Sequence, residues 1–164
     1  MSAVTADIVV ESELWHAQPK AEAVVRAAIA ASTAHSTRDG EVSILLSDDS
    51  AVRELNRQWR GLDHPTNVLS FPAPQSPAAE GLLGDIVIAY ETLQRESEDE
   101  GRDFLHHLAH LAVHGFLHLI GYDHRNDAEA EAMEAIESRI MIAMNMPDPW
   151  LSRDLAMTAL NGDD

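Results

Sequence analysis

The sequence predicts an α+β fold: a small mixed four-stranded sheet packed with about five helices, with a three-histidine metal site at the end of a central helix. Three observations carry this reading. Short β-branched segments alternate with longer segments of helical apolar period. Histidines spaced by four residues, followed by a glycine break and one more histidine, close the most apolar helical stretch. The chain has 164 residues, 45% of them hydrophobic and 24% charged, enough for one domain that buries about two-thirds of its unfolded surface. Residues 1–150 read as that domain and 151–164 as a C-terminal tail.

Taken in order, Asp7 to Val10 is a short strand, and after Pro19 an Ala-rich helix runs from Ala21 to about Ala34 with Val24, Val25 and Ile29 inward. Arg38-Asp39-Gly40 is a turn. Glu41 to Ser47 alternates, with Val42, Ile44 and Leu46 on one side, as a half-buried strand does. Asp48-Asp49-Ser50 offers an N-cap for a helix through about Trp59, on which Arg53, Arg57 and Arg60 are spaced along one face. Arg53 and Arg57 read as solvated.

Asn67 to Phe71 is the third strand, stopped by Pro72, and taken by itself Ser70 is an ordinary strand hydroxyl. The Pro-, Ala- and Gly-rich stretch to Leu83 reads as a loop long enough to wall or cover a cleft. Gly84 to Ala89 is the fourth strand, with Asp85 in a structural part. Residues 91–103 are strongly acidic and read as an exposed helix and turn.

A helix entered through Phe104, Leu105, Leu108 and Leu111 carries the histidines. His114 and His118, four apart, project from one face about 6 Å apart along the axis, so both imidazoles reach one ion. Gly121 sits where a left-handed cap ends the helix, and the chain then doubles back and returns His124 to that face. Three neutral nitrogen donors with a fourth position open is the pattern of a catalytic rather than a structural zinc. A set of His110, His114 and His118 is disfavoured, because its outer members lie about 12 Å apart on a straight helix. His107 and His110 read as packing residues or supports behind the ligands, His106 as exposed, and Asp123 as a candidate acceptor that fixes a ligand's tautomer. A last helix begins at Asn126 and Asp127, buries Met133, Ile136, Ile140 and Met144, and ends at Pro147-Asp148-Pro149.

With 11 basic and 28 acidic residues the net charge is −17, which repels phosphate from most of the surface. Nucleic-acid binding then needs a local positive patch, a metal or a protein partner. One basic residue, Lys20, is a lysine and the other ten are Arg, suited to fork-like phosphate contacts. There is no cysteine, the N-terminus lacks the basic start and apolar stretch of a signal peptide, and no apolar run approaches the 18 or so residues of a membrane span. These features predict a cytoplasmic protein without a membrane partner.

The block HGFLHLIGYDH at 114–124, with HHLAHLAV before it and EAEAMEAIESRIM after it, closely resembles the YbeY family of bacterial endoribonucleases, also called rRNA maturation factors. LNRQWRGLDHPTNVLSFP and LLGDIVIA resemble that family's other blocks, in the expected order, so the resemblance spans roughly residues 40 to 150. It implies one zinc per chain on His114, His118 and His124, with Arg60 and His114 in catalysis and Arg60 beside the metal to bind a scissile phosphate. It also puts Ser70 at a position near the cleft, weighed equally with an ordinary strand hydroxyl, and because the family's block has Asp where this chain has Asn67, Asn67 is given no catalytic role. It also implies a single-strand-specific endoribonuclease acting on rRNA, at the 3′ end of 16S rRNA, and in ribosome quality control. The implied partners are single-stranded RNA, the small ribosomal subunit and, as a candidate, an assembly GTPase, with no DNA. Water activated by the metal and attack by the RNA 2′-hydroxyl both remain open, as does zinc against nickel in the cell. Two rivals compete. A ribosome-assembly binding factor with structural zinc and weak cleavage is favoured by the charge. A zinc metallopeptidase is less favoured, because the HExxH motif puts Glu after the first His and this chain has Gly115 there.

Overall fold

The computed structural model describes residues 3–150; the expected tail from 151 to 164 lies outside the described residues. Four strands, β1 (Val4–Val10), β2 (Gly40–Ser47), β3 (Val68–Pro72) and β4 (Leu82–Ala89), form one sheet in the order β1-β2-β4-β3. β1, β2 and β4 are parallel, with Ile8 opposite Ile44 and Ile44 opposite Ile86, while β3 runs antiparallel to β4 with Leu69 opposite Val87. Five helices complete the expected mixed architecture: α1 (Ala21–Ser32), α2 (Asp49–Arg60), α3 (Tyr90–Glu100), α4 (Phe104–Leu119) and α5 (Asp127–Ala143).

The period-2 side of β2, with Val42, Ile44 and Leu46 fully buried, faces the main core together with Ile86 and Ile88 of β4. α1 and α4 cover that face through Val25, Ala28 and Ile29 of α1 and Leu108, Ala112, Val113 and Phe116 of α4. On the opposite face Val52 and Leu55 of α2 pack with Leu69 and Val87. β4 is therefore covered on both sides near its end, which explains its run of Ile-Val-Ile-Ala in place of clean alternation.

α4 is buried along most of its length because helices and sheet surround it, with the stripe of His106, His110, His114 and His118 on one face. Asp103 caps it, accepting the backbone N–H of Leu105 at 2.9 Å and of His106 at 3.2 Å. Gly115 lets it sit close to the sheet: a Cβ there would lie 2.9 Å from Ile86 Cγ2 and 3.1 Å from Ser70 Oγ.

Several expectations need correction. β1 starts at Val4 rather than Asp7, because Val4–Val10 pairs with β2 along its length whether or not its polar residues alternate. Trp15, not singled out in the sequence, is buried in a 3-10 turn (Glu13–Ala17), donates its indole N–H to Ser47 O at 2.8 Å and packs edge-on against Tyr90. The 72–83 stretch is shorter as a loop than it reads, since Pro72 pairs with Gly84 at the end of the β3/β4 hairpin. Pro72 borders the histidine cleft, whereas the middle residues border a separate hollow with Arg38 and Asp39 and do not wall that cleft. The acidic stretch is only partly exposed: the Glu91 carboxylate accepts the backbone N–H of Asp49 at 2.9 Å, and Glu96 accepts from Asn67 Nδ2 at 2.9 Å. No described helix is long and apolar enough to cross a membrane.

Candidate metal centre

His114 and His118 lie on the half-buried end of α4, one turn apart, with ring centroids separated by 4.6 Å and their Nε2 atoms by 3.1 Å. The helix ends as the glycine predicts. Gly121 takes φ +110°, its N–H donates to His118 O at 3.2 Å, and Tyr122 N–H donates to Leu117 O at 3.0 Å, the paired bonds of a Schellman turn. The reversal brings the His124 ring to 5.0 Å from that of His118 and 5.9 Å from that of His114. One nitrogen from each of the three lies within 4.8 Å of the others. Ligands of a tetrahedral site at 2.0–2.1 Å are separated by about 3.3 Å, so small ring rotations close this set on one ion, and three neutral imidazoles suit zinc or a similar borderline ion.

His118 is suited to remain neutral. Burial lowers its pKa first, and the nearby His114 and His124 rings lower it further. A metal needs the deprotonated ring nitrogen, so the direction favours ligation.

Asp123 does not fix a ligand ring. Its Oδ1 accepts the backbone N–H of His124 at 2.8 Å, which shapes the turn. The carboxylate that reaches a ring is Glu137 of α5, a residue the sequence reading passed over. Glu137 is 1% exposed; its Oε2 lies 2.6 Å from His114 Nδ1, and its Oε1 lies 3.0 Å from both His110 Nε2 and the indole Nε1 of Trp150. Burial works to raise its pKa, but hydrogen bonds from His110 and His114, and their charge, prevail and hold it at about 2. A signal was present: Glu137 falls on the stripe of Met133, Ile140 and Met141, where a charged residue needs a buried partner.

His110 accordingly stands behind His114 as a support, and His107 is buried with its Nε2 2.8 Å from Glu96. His106 is half-buried rather than exposed, because α4 enters the core within its first turn.

The three histidines open into a cleft of about 660 Å³ that is also lined by Arg60, Ser70, Tyr122 and Arg125. Arg53 and Arg57 are neutralised on the solvent side by Asp63 and Glu54 respectively, as their solvated reading anticipates. Arg60, at the last turn of the same helix, makes no hydrogen bond or ion pair among the described residues and faces this cleft as an uncommitted cation. The Ser70 hydroxyl is spent on Gly115 O at 3.0 Å, though the residue does line the cleft. At the position where a peptidase would carry its general base, Gly115 faces the sheet and has no room for a side chain.

What fold and site define is a small α+β protein with a candidate three-histidine metal pocket open to a cleft, a class suited to metal-assisted chemistry on a substrate that enters from solvent. Comparison with known proteins narrows the class. A sequence profile described as Endoribonuclease YbeY matches residues 8–145. Curated relatives named Endoribonuclease YbeY include one from Rhodopseudomonas palustris strain BisA53, 54% identical over 92% of this chain and 92% of the relative. Another, from Bradyrhizobium sp. strain BTAi1, is 48% identical over 92% of this chain and 94% of its own. The chain belongs to the Endoribonuclease YbeY family. A solution structure from Thermotoga maritima, 23% identical, shares the fold with a TM-score of 0.59 over 86% of this chain and 92% of that one.

Proposed function

We propose that this protein is a zinc-dependent endoribonuclease that cuts single-stranded RNA in the cytoplasm, acting at the 3′ end of 16S rRNA and in ribosome quality control. The observation that carries the reading is the convergence of three imidazole nitrogens within 4.8 Å in a cleft that Arg60, unpaired among the described residues, also lines. Family membership, with relatives named endoribonuclease, supplies the substrate class. One domain, residues 1–150, is taken to hold the whole catalytic apparatus.

In this reading His114, His118 and His124 hold one zinc per chain, and His114 is counted with Arg60 among the catalytic residues. The ion, when bound, supplies Lewis-acid chemistry at a phosphodiester. Arg60 binds the scissile phosphate through its planar fork and stabilises negative charge that builds on the phosphoryl oxygens. Water and the RNA 2′-hydroxyl are the two available nucleophiles, and the products separate them: 2′-hydroxyl attack leaves a cyclic phosphate, whereas hydrolysis by water can leave a 3′-hydroxyl end. The net charge of −17 weakens free RNA binding, so the small ribosomal subunit, and an assembly GTPase as a candidate, bring substrate to the cleft.

That same charge favours one second reading, a ribosome-assembly factor whose zinc is structural and whose own cleavage is weak. A metallopeptidase falls further behind, given the crowding at Gly115. The test is cleavage of end-labelled single-stranded RNA by wild type and His118→Ala prepared side by side, with zinc counted in both. Cleavage and zinc lost together support the nuclease. Zinc lost with cleavage retained assigns the cleavage to a contaminant and rejects this centre.

A further inference from the structure

We infer that Glu137 is a positioning residue that sets the tautomer of His114, and that the indole N–H of Trp150, which needs an acceptor at Glu137 Oε1, prevents an amide at 137 from taking over that part. The inference rests on the three-histidine metal reading above and concerns how one ligand is presented.

Counting donors and acceptors makes the case. Glu137 is 1% exposed and offers acceptors on both oxygens. Its Oε2 lies 2.6 Å from His114 Nδ1, so that nitrogen carries the proton, and the lone pair is left on Nε2. Nε2 is the nitrogen that faces the His118 Nε2 atom at 3.1 Å, on the side where the three rings converge. The other oxygen, Oε1, receives the Trp150 indole N–H at 3.0 Å, and an indole nitrogen only donates. His110 Nε2 shares Oε1 at 3.0 Å, while His110 Nδ1 is buried without a partner among the described residues, so His110 can carry its proton on either nitrogen without losing a bond there. Trp150 is thus the donor that an amide at 137 would have to meet with its oxygen. It requires an acceptor at Oε1, and this holds the segment after α5 against the back of the metal pocket.

Glu137→Gln turns this into a test. With Trp150 present, the amide oxygen must meet the indole, so the amide NH₂ faces His114 Nδ1. That forces the proton of His114 onto Nε2 and occupies the lone pair that the metal needs. Zinc affinity, measured by chelator competition on the full chain, is expected to fall by about 10- to 100-fold, the usual effect of losing such a partner. Adding Trp150→Phe to Glu137→Gln removes the obligatory donor and lets the amide turn over, with His110 switching tautomer to accommodate it. Zinc affinity then recovers toward wild type, a rescue that a general packing role does not produce. Trp150→Phe alone keeps its carboxylate and retains zinc.

The direct readout is the ¹⁵N spectrum of the His114 ring in zinc-loaded wild-type protein. Protonated Nδ1 with Nε2 as the ligand nitrogen is expected; Nδ1 as the ligand nitrogen overturns the assignment, even if no Glu137 variant folds. Unchanged zinc affinity in a folded Glu137→Gln variant also overturns it, as does failure of Trp150→Phe to restore affinity in a folded double variant. If wild type takes up no zinc that His118→Ala abolishes, the metal reading itself has failed, an outcome distinct from these.

Discussion

The Ser70 hydroxyl donates to the Gly115 carbonyl at 3.0 Å, tying β3 to the turn of α4 between His114 and His118. A methyl at 115 would sit 3.1 Å from that hydroxyl oxygen and 2.9 Å from Ile86 Cγ2. Gly115→Ala gains roughly 1 kcal/mol of helix propensity but must push α4 off the sheet, and overpacking of this kind typically costs about 1–3 kcal/mol. The expected result is a lower urea midpoint with weakened zinc binding, since α4 moves with two of the ligands. A midpoint at or above wild type would show that α4 has slack against β4.

The histidine block was legible because its chemistry is local: two rings one turn apart, a glycine that ends the helix, and a third ring three residues on. Helical period alone located α4 and α5 for the same reason. Glu137 escaped because the stripe of Met133, Ile140 and Met141 reads as core, and its partners His110, His114 and Trp150 lie 13 to 27 residues away in sequence. Asp123 attracted attention by adjacency, yet its carboxylate turns to the His124 backbone. Trp15 and the first residues of β1 were missed because their order depends on pairing with β2, a long-range contact that local pattern does not encode. The loop after Pro72 lines a hollow with Arg38 and Asp39 rather than the histidine cleft, which its composition could not show, because composition marks a loop without saying which end of the sheet it joins.

Arg60 faces the cleft without a counter-ion among the described residues, whereas Arg53 on the same helix is bound at 2.8 Å by Asp63. Arg60→Ala is expected to keep zinc and fold and to lose about 10²- to 10³-fold in RNA cleavage, the usual effect of removing a donor to developing charge. Arg60→Lys recovers only part, because an ammonium lacks the planar fork. Cleavage rates on single-stranded RNA, with association to the small subunit measured alongside, separate the two readings. Undiminished cleavage removes Arg60 from the mechanism, and undiminished association with cleavage lost is the nuclease outcome.

Acid should destabilise the metal-free protein through two groups of the same sign. Glu137 titrates at about 2 in the fold against an ordinary 4.5, so between those values the unfolded chain binds a proton that the native state refuses. Its stabilisation is complete above pH 4.5 and is lost as pH falls toward 2, with a span on the order of 3 kcal/mol. His118, held low by burial and then by its neighbouring histidines, adds a loss that begins as pH drops below 6.5, where the unfolded imidazole starts to protonate. Urea midpoints of wild type and Glu137→Gln across pH 7 to 3 check this. The variant's curve should flatten relative to wild type below pH 4.5; parallel curves there would show that Glu137 gains no stability from its buried partners.

Removal of zinc distinguishes a catalytic ion from a structural one. The main core closes through Ile44, Ile86, Leu108, Val113 and Phe116 without any of the three ligands, and His124 is exposed. The fold is therefore expected to stand without the ion, unlike a zinc finger, in which the metal supplies the folding energy. Chelation is expected to abolish cleavage while leaving the far-ultraviolet circular dichroism and a cooperative thermal transition. Free zinc at a hundred times its Kd stabilises by about 2.7 kcal/mol, so the transition should drop by roughly 5–10 °C on its removal. Unfolding on chelation would mean that the ion holds the His124 turn and α5 to the rest of the fold, and would move the balance toward an assembly factor with structural zinc. A retained fold with lost cleavage leaves the ion no role but chemistry at the cleft.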